Sequence, residues 1–170
     1  MRTRDLMLAA MLALAGAAQA AAPCTLVFGQ GRNPVVQGGP DWDGLNQRFN
    51  TAVADMLDAQ GRRIFPMTAP SEQADPQAAG IALLQRADQL GCATLAETAL
   101  FTDEQGTLVL RLRVYPLLPT MGDGGAIVGL RIGAPLFVTQ RDLDVKALPR
   151  LKLDLIGQQM AAEYLQHDRR

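Results

Sequence analysis

Cys24 and Cys92 are the only cysteines of the chain, and each stands just ahead of an apolar, strand-like run. A bridge between them would tie the start of one strand to the start of another. No other feature of the sequence restricts strand order so tightly. Whether they pair depends on the compartment, and the first residues speak to that. "MRTRDLMLAAMLALAGAAQA" sets Arg2 and Arg4 before an apolar core and ends in Ala18-Gln19-Ala20, the layout of a cleaved secretory signal peptide over residues 1–20. Its apolar core is shorter than the roughly 20 residues that span a bilayer, and no later segment reaches that length. The expectation is therefore a periplasmic protein with no transmembrane segment, one domain over residues 21–170. Lipid attachment would need a small residue before the modified cysteine, whereas Cys24 follows Pro23. Two cysteines in an oxidising compartment predict one disulfide, Cys24 to Cys92. Closing so long a loop stabilises a fold by about 4 kcal/mol. A zinc site is the weaker alternative, because two thiols and one distant histidine do not supply its ligands.

Taking Arg2, Arg4 and Asp5 away from 16 basic and 17 acidic side chains leaves 14 and 16, a net charge of −2. That balance carries no electrostatic footprint for nucleic acid. With 48% apolar and 19% charged residues, the chain can bury one well-formed core.

Hydrophobic period supplies the elements. Thr25 to Phe28 reads as a strand. Leu45, Phe49, Val53, Met56 and Leu57 recur at intervals of three and four, predicting a helix over about residues 43–60, capped by Asp41 or Asp43 and followed by Gly61. "RRIFPM" is a short strand that Pro66 assigns to an edge. Asp75 and Pro76 open a second helix that Gly91 ends, with Ala79, Leu83, Leu84, Ala87 and Leu90 on its buried face. From Ala93 to Tyr115 the period becomes two. Taking Thr102 to Gly106 as a hairpin loop sets Phe101 against Thr107 and Glu97 against Arg111, with Arg113 beside them, and gathers the leucines on the other face. The prolines and glycines of "PLLPTMGDGG" break the strand, "AIVGLRI" resumes it, and "LFVTQRDLDV" continues past a kink at Gly133 and Pro135. A last helix runs from about Pro149 to His167. The elements predict an α/β (α+β) two-layer sandwich: a mixed sheet of about five strands with three helices. The disulfide places the first strand between the second and the third.

No motif specifies a reaction. "FGQGRNPVVQGGPDWDG" joins a strand to a helix start as phosphate-binding loops do, but after Gly29 and Gly31 the third glycine is replaced by Pro34, and Asp41 and Asp43 oppose an anion at the helix end. "GDGGAIVG" misses the same spacing and reads as a turn. His167 is the fourth residue from the end and suits no histidine-based hydrolase. The pairs Asp55 with Asp58, Asp103 with Glu104, and Asp142 with Asp144 read as solvated faces, each a helix exterior or a loop tip. No catalytic, cofactor-binding or metal-ligating residue is assigned. Trp42 reads as a staple over the first helical turn, with partner contact as its other role. Arg111, Arg113 and Arg131 line the outer sheet face with Tyr115. Together with Arg32 and Trp42 these residues form the candidate partner surface.

The stretches "LNQRFNTAVADMLDAQGRRIFPM" and "LLQRADQLGCATLAETALFTDEQGTLVLRLRVYP", followed by a last strand and a terminal helix, resemble one superfamily of envelope domains. It includes the amino-terminal domain of the Tol-system translocation protein, the curli-secretion channel subunits and the lipoprotein activators of penicillin-binding proteins. The resemblance lies in element order and texture. It implies a two-layer, anticodon-binding-like α/β domain working as a non-enzymatic adaptor in the bacterial envelope. The lipid-anchor cysteine and the propeller found in members of that superfamily are not matched, and no site residue is transferred. The reading is a periplasmic protein acting by protein-protein contact in envelope assembly or maintenance, its partner unnamed. The alternative is a small-ligand or glycan-binding module using the sheet face around Tyr115 and Arg131.

Overall fold

The computed structural model describes residues 24–33, 37–71 and 75–169. The segment read as a signal peptide, residues 1–20, lies outside them, as does Pro34 of the glycine loop. The chain runs through β1 (Cys24–Gln30), α1 (Trp42–Asp58), β2 (Arg63–Ala69), α2 (Pro76–Leu90), β3 (Thr94–Thr102), β4 (Thr107–Met121), β5 (Ile127–Ile132), β6 (Phe137–Asp144) and α3 (Leu153–Asp168). The six described strands join one mixed sheet in the order β2-β1-β3-β4, with β5 and β6 end to end along the outer edge of β4. β1 runs parallel to both β2 and β3, and the remaining pairs are antiparallel. This is the α/β sandwich with five strand positions that the period of the sequence implies.

The strand order follows the cysteines. Cys24 and Cys92 lie at disulfide distance, with Cα atoms 4.4 Å apart across 68 residues of chain. Both are buried, and β1 lies between β2 and β3. β2, with Pro66 in it, is an edge.

Alternation sorts the sheet into two faces. Val27, Ala96 and Leu100, with Leu108, Leu110, Leu112 and Val114, meet the stripes of α1 and α3 in the main core. On the other face Cys24, Leu26, Phe28, Leu95 and Leu117 are covered by Leu83 and Ala87 of α2. The helical layer of α1 and α3 therefore spans one face. α2 covers only the disulfide end of the other, and no other described helix lies on the rest of that face.

Caps hold where the sequence puts them. Asp41 accepts the Gly44 N–H at 2.9 Å, and Asp75 accepts those of Gln77 and Ala78, with Pro76 in the first turn. Gly91 ends α2 in the left-handed region at φ 67°.

Three expectations are corrected. The hairpin register moves by two residues: Glu97 stands opposite Arg113, not Arg111, and Phe101 opposite Val109. The loop is shorter than five residues because Asp103 Oδ1 accepts both the Gln105 and Thr107 N–H groups. Gly106, at φ 77°, then closes a three-residue turn. A shift of two preserves the faces, so the leucines stay together.

β4 does not break at Pro116. Leu117 donates its N–H to Ala93 O, so Pro116 is directed to the opposite side, where its carbonyl accepts Gly133 N–H at the junction of β5 and β6. Pro119 points back toward β3, beyond the start of that strand. Neither proline interrupts a ladder, which is the condition for proline in a sheet. A Cβ on Gly133 would come within 2.8 Å of Pro116 Cγ, so this kink requires glycine.

α3 begins at Leu153 rather than Pro149. Val145–Arg150, including Pro149, forms a 3-10 segment that Asp144 caps, and extended Leu151 separates it from the helix.

Candidate functional site

On the uncovered part of the α2 face, β3 and β4 bring one carboxylate under several cations. Arg113 grips Glu97 with two parallel bonds, Nε to Oε2 at 2.9 Å and Nη2 to Oε1 at 2.8 Å. Arg32 Nη2 donates to Oε1 at 3.0 Å and the Tyr115 hydroxyl to Oε2 at 3.2 Å. Burial pushes the Glu97 carboxyl up, but the bonds and charge of Arg113, with Arg32 and Tyr115, outweigh it and hold Glu97 below its ordinary value. The same contact raises Arg113, whereas burial and then the Glu97 charge raise the Tyr115 hydroxyl.

Arg32 comes from the glycine loop. Asn33 fixes that loop to the end of β3, donating Nδ2–H to Thr102 Oγ1 at 2.6 Å and accepting the Thr102 N–H at 3.1 Å. The guanidinium of Arg32 then sits 5.3 Å from the centre of the Phe101 ring, and that of Arg111 sits 5.5 Å from the same ring. Arg111 differs from its neighbours. Its Nε is buried and unpaired, and no described group forms an ion pair with it. Burial lowers its pKa, and so do the charges of Arg113 and Arg32. An unpaired buried donor costs about 1–3 kcal/mol.

The predicted residues divide. Arg32, Arg111, Arg113 and Tyr115 come together. Arg131 does not: it pairs with Leu118, which alternates to the face opposite Tyr115 and Leu117. A site uniting Tyr115 with Arg131 is thereby corrected. Trp42, 9% exposed, is packed in the core of α1 and α3 and is no surface contact. Phe101 and Asn33 were missed, although Phe101 shares the strand parity of Glu97 and could have been found from it.

A second feature runs along the outer sheet edge. Met121, Ile127, Val128, Ile132, Leu136 and Val138 are between 43% and 67% exposed on the β4 tip, on β5, on β6 and between them. Among the described residues both outer strands pair only with β4, so this edge also presents main-chain donors and acceptors. Val138 lies opposite Arg113, which joins the apolar edge to the arginine cluster.

The glycine loop forms an open depression of about 300 Å³ at the start of α1, beside Gly29, Gly31 and Pro70. Its own carboxylates occupy the helix end. Asp41 holds Gly44 N–H, and Asp43 accepts the N–H and hydroxyl of Ser71, each at 3.1 Å to Oδ1. A Cβ on Gly31 would overlap Asp43 Oδ1, so the glycine there serves that closure. "GDGG" forms the turn between β4 and β5, with Gly124 and Gly125 both at φ 81°. His167 is exposed on the last turn of α3, and no described helix is long and apolar enough to cross a membrane.

No family model and no curated protein matches the chain. Among solved structures it is similar to a PelC dodecamer from Paraburkholderia phytofirmans at 13% identity, over 87% of this chain and 88% of that chain, with a TM-score of 0.38.

Proposed function

We infer that the chain is a non-enzymatic, exported protein of the bacterial envelope that works in the periplasm by protein-protein contact, in envelope assembly or maintenance. The observation that carries this reading is the apolar outer edge of β5 and β6. Large side chains exposed in a row beside unpaired main chain mark surfaces that another protein covers. Branched aliphatics such as Ile127, Val128 and Val138 gain from desolvation against a partner and gain nothing from solvent. A signal-like amino terminus and a buried cysteine pair at disulfide distance support export. The superfamily resemblance supports the adaptor role by analogy.

Photo-crosslinking in the native host tests it, with probes replacing Val128 and Val138 in turn and a probe at buried Leu110 as control. A discrete adduct from either edge position, absent from Leu110, is the expected result. Exported, folded protein that gives no adduct from either edge position would refute the reading. The pair Val128→Lys and Val138→Lys should abolish an adduct formed from Ile127. Unfolding free energy should stay within about 0.5 kcal/mol, because both side chains are on the surface.

A further inference from the structure

Three guanidinium groups, Arg32, Arg111 and Arg113, surround one carboxylate, Glu97, and that carboxylate is fully engaged. Its two oxygens already accept two bonds from Arg113, one from Arg32 and one from Tyr115. Nothing remains for Arg111. Two further carboxylates alternate to this side of β6, and both are engaged elsewhere: Asp142, opposite Val109, accepts from Gln140 Nε2 at 2.7 Å, and Asp144, opposite Thr107, accepts the Lys146 N–H at 2.9 Å. Arg111 is thus a planar, five-donor cation held on a strand between a phenylalanine ring and two other arginines, with no described acceptor for its fork. A second carboxylate, placed against the terminal Nη groups of Arg111 in front of the buried Nε, would complete the pattern.

We propose that Arg111 is the receptor for a carboxylate carried on an acidic segment of the partner protein, docking across the open end of the α2 face toward Val138. This deepens the adaptor reading and rests on it. Charge complementarity is one reason: the three guanidiniums with Glu97 and the neighbouring Asp142 still sum to +1, so an acidic segment meets an unfilled demand. The character of the surround is the other. Phe101 has two guanidiniums over its ring, which removes the open aromatic face on which a sugar would stack, while Val138 next to Arg113 offers aliphatic contact to a peptide.

The test uses the purified full-length exported protein and follows the Arg111 Nε–H resonance, assigned by its loss in Arg111→Gln, during titration with an oligoglutamate peptide. Oligoglutamine serves as the neutral control and polygalacturonate as the anionic glycan. The expected result is a saturable shift with oligoglutamate and none with oligoglutamine. Affinity should fall about tenfold in Arg111→Gln, the loss of one charge-assisted fork, and stay within twofold in Arg150→Gln. Arg111→Lys, which keeps the charge and loses the fork, should fall between, and it replaces the glutamine variant should that fail to fold. A resonance that does not move, equal losses in Arg111→Gln and Arg150→Gln, or tighter binding of polygalacturonate at Arg111 would each overturn the proposal. Edge adducts at Val128 alongside an unmoved Arg111 resonance would remove this inference and leave the adaptor reading standing.

Discussion

At the scale of residues, buried polar groups do more of the specifying than the apolar stripe suggests. β1 accompanies β3 only as far as Thr98, which leaves the Leu100 N–H and C=O without a strand partner. Asn46 of α1 replaces that partner: its Oδ1 accepts Leu100 N–H at 2.9 Å and its Nδ2–H donates to Leu100 O at 2.8 Å. Asn50, one turn on, donates to Met67 O and accepts the Thr98 hydroxyl. Asn46→Ala should therefore cost about 2–3 kcal/mol in urea unfolding, since two buried backbone groups lose their partners together. Glu97 yields a pH prediction. Its folded-state pKa lies below the unfolded value, so the folded state favours the ionised form. That stabilisation is fully present above the ordinary pKa of 4.5 and is lost as the pH falls through the folded-state value beneath it. Denaturation midpoints measured from neutral to acid pH should drop less steeply in Glu97→Gln than in the parent. Equal slopes would show that the cluster does not couple to folding. Glu97 was legible in the sequence because alternation brings it to arginines on the facing strand. Asn46 was not, because an asparagine beside an apolar stripe reads as the edge of the solvated face.

At the scale of elements, the contact of α1 with α3 turns on one glycine. A Cβ on Gly157 would lie 2.8 Å from Ala52 Cβ and 3.2 Å from Phe49 O, so the two helices approach as closely as their backbones allow. Glycine to alanine within an exposed helix ordinarily gains about 1 kcal/mol. Here the sign should reverse, because overpacking costs about 1–3 kcal/mol. Thermal unfolding should show Gly157→Ala below the parent, and adding Ala52→Gly should recover part of the loss. No rise with the second substitution would mean that the Phe49 carbonyl, not Ala52, sets the limit. Period alone identified both helices and the hairpin, yet it missed this crossing, since glycine in a helix carries no sign of what it faces. The hairpin register slipped for a comparable reason. Asp103 shortens the loop through side-chain bonds that composition does not reveal, and a slip of two leaves the pattern of faces unchanged.

At the scale of the whole molecule, one covalent tie and one open edge divide the roles. Cys24 and Cys92 anchor the β1 and β3 starts under α2, within the smaller core. Replacing both by alanine should lower the unfolding free energy by about 4 kcal/mol, measured with urea under oxidising conditions. A loss below about 1 kcal/mol would mean that the smaller core holds these strands together without the bridge. The opposite margin of the sheet carries no such tie. β5 and β6 present their exposed aliphatics where addition of another chain would close the edge.

Read along the chain, the residues specify the elements, the α/β class, the pairing of the two cysteines and, through them, the position of β1 in the sheet. These rest on local period, on caps and on a covalent constraint, all of which can be read along the chain. Folding in three dimensions settles the rest: which face each helix covers, the departure of Arg131 and Trp42 from the expected surface, and the isolation of Arg111 among groups already paired. Those outcomes depend on which side of the sheet a residue reaches and on which acceptors its neighbours have taken, and both are settled by contacts between segments far apart in sequence.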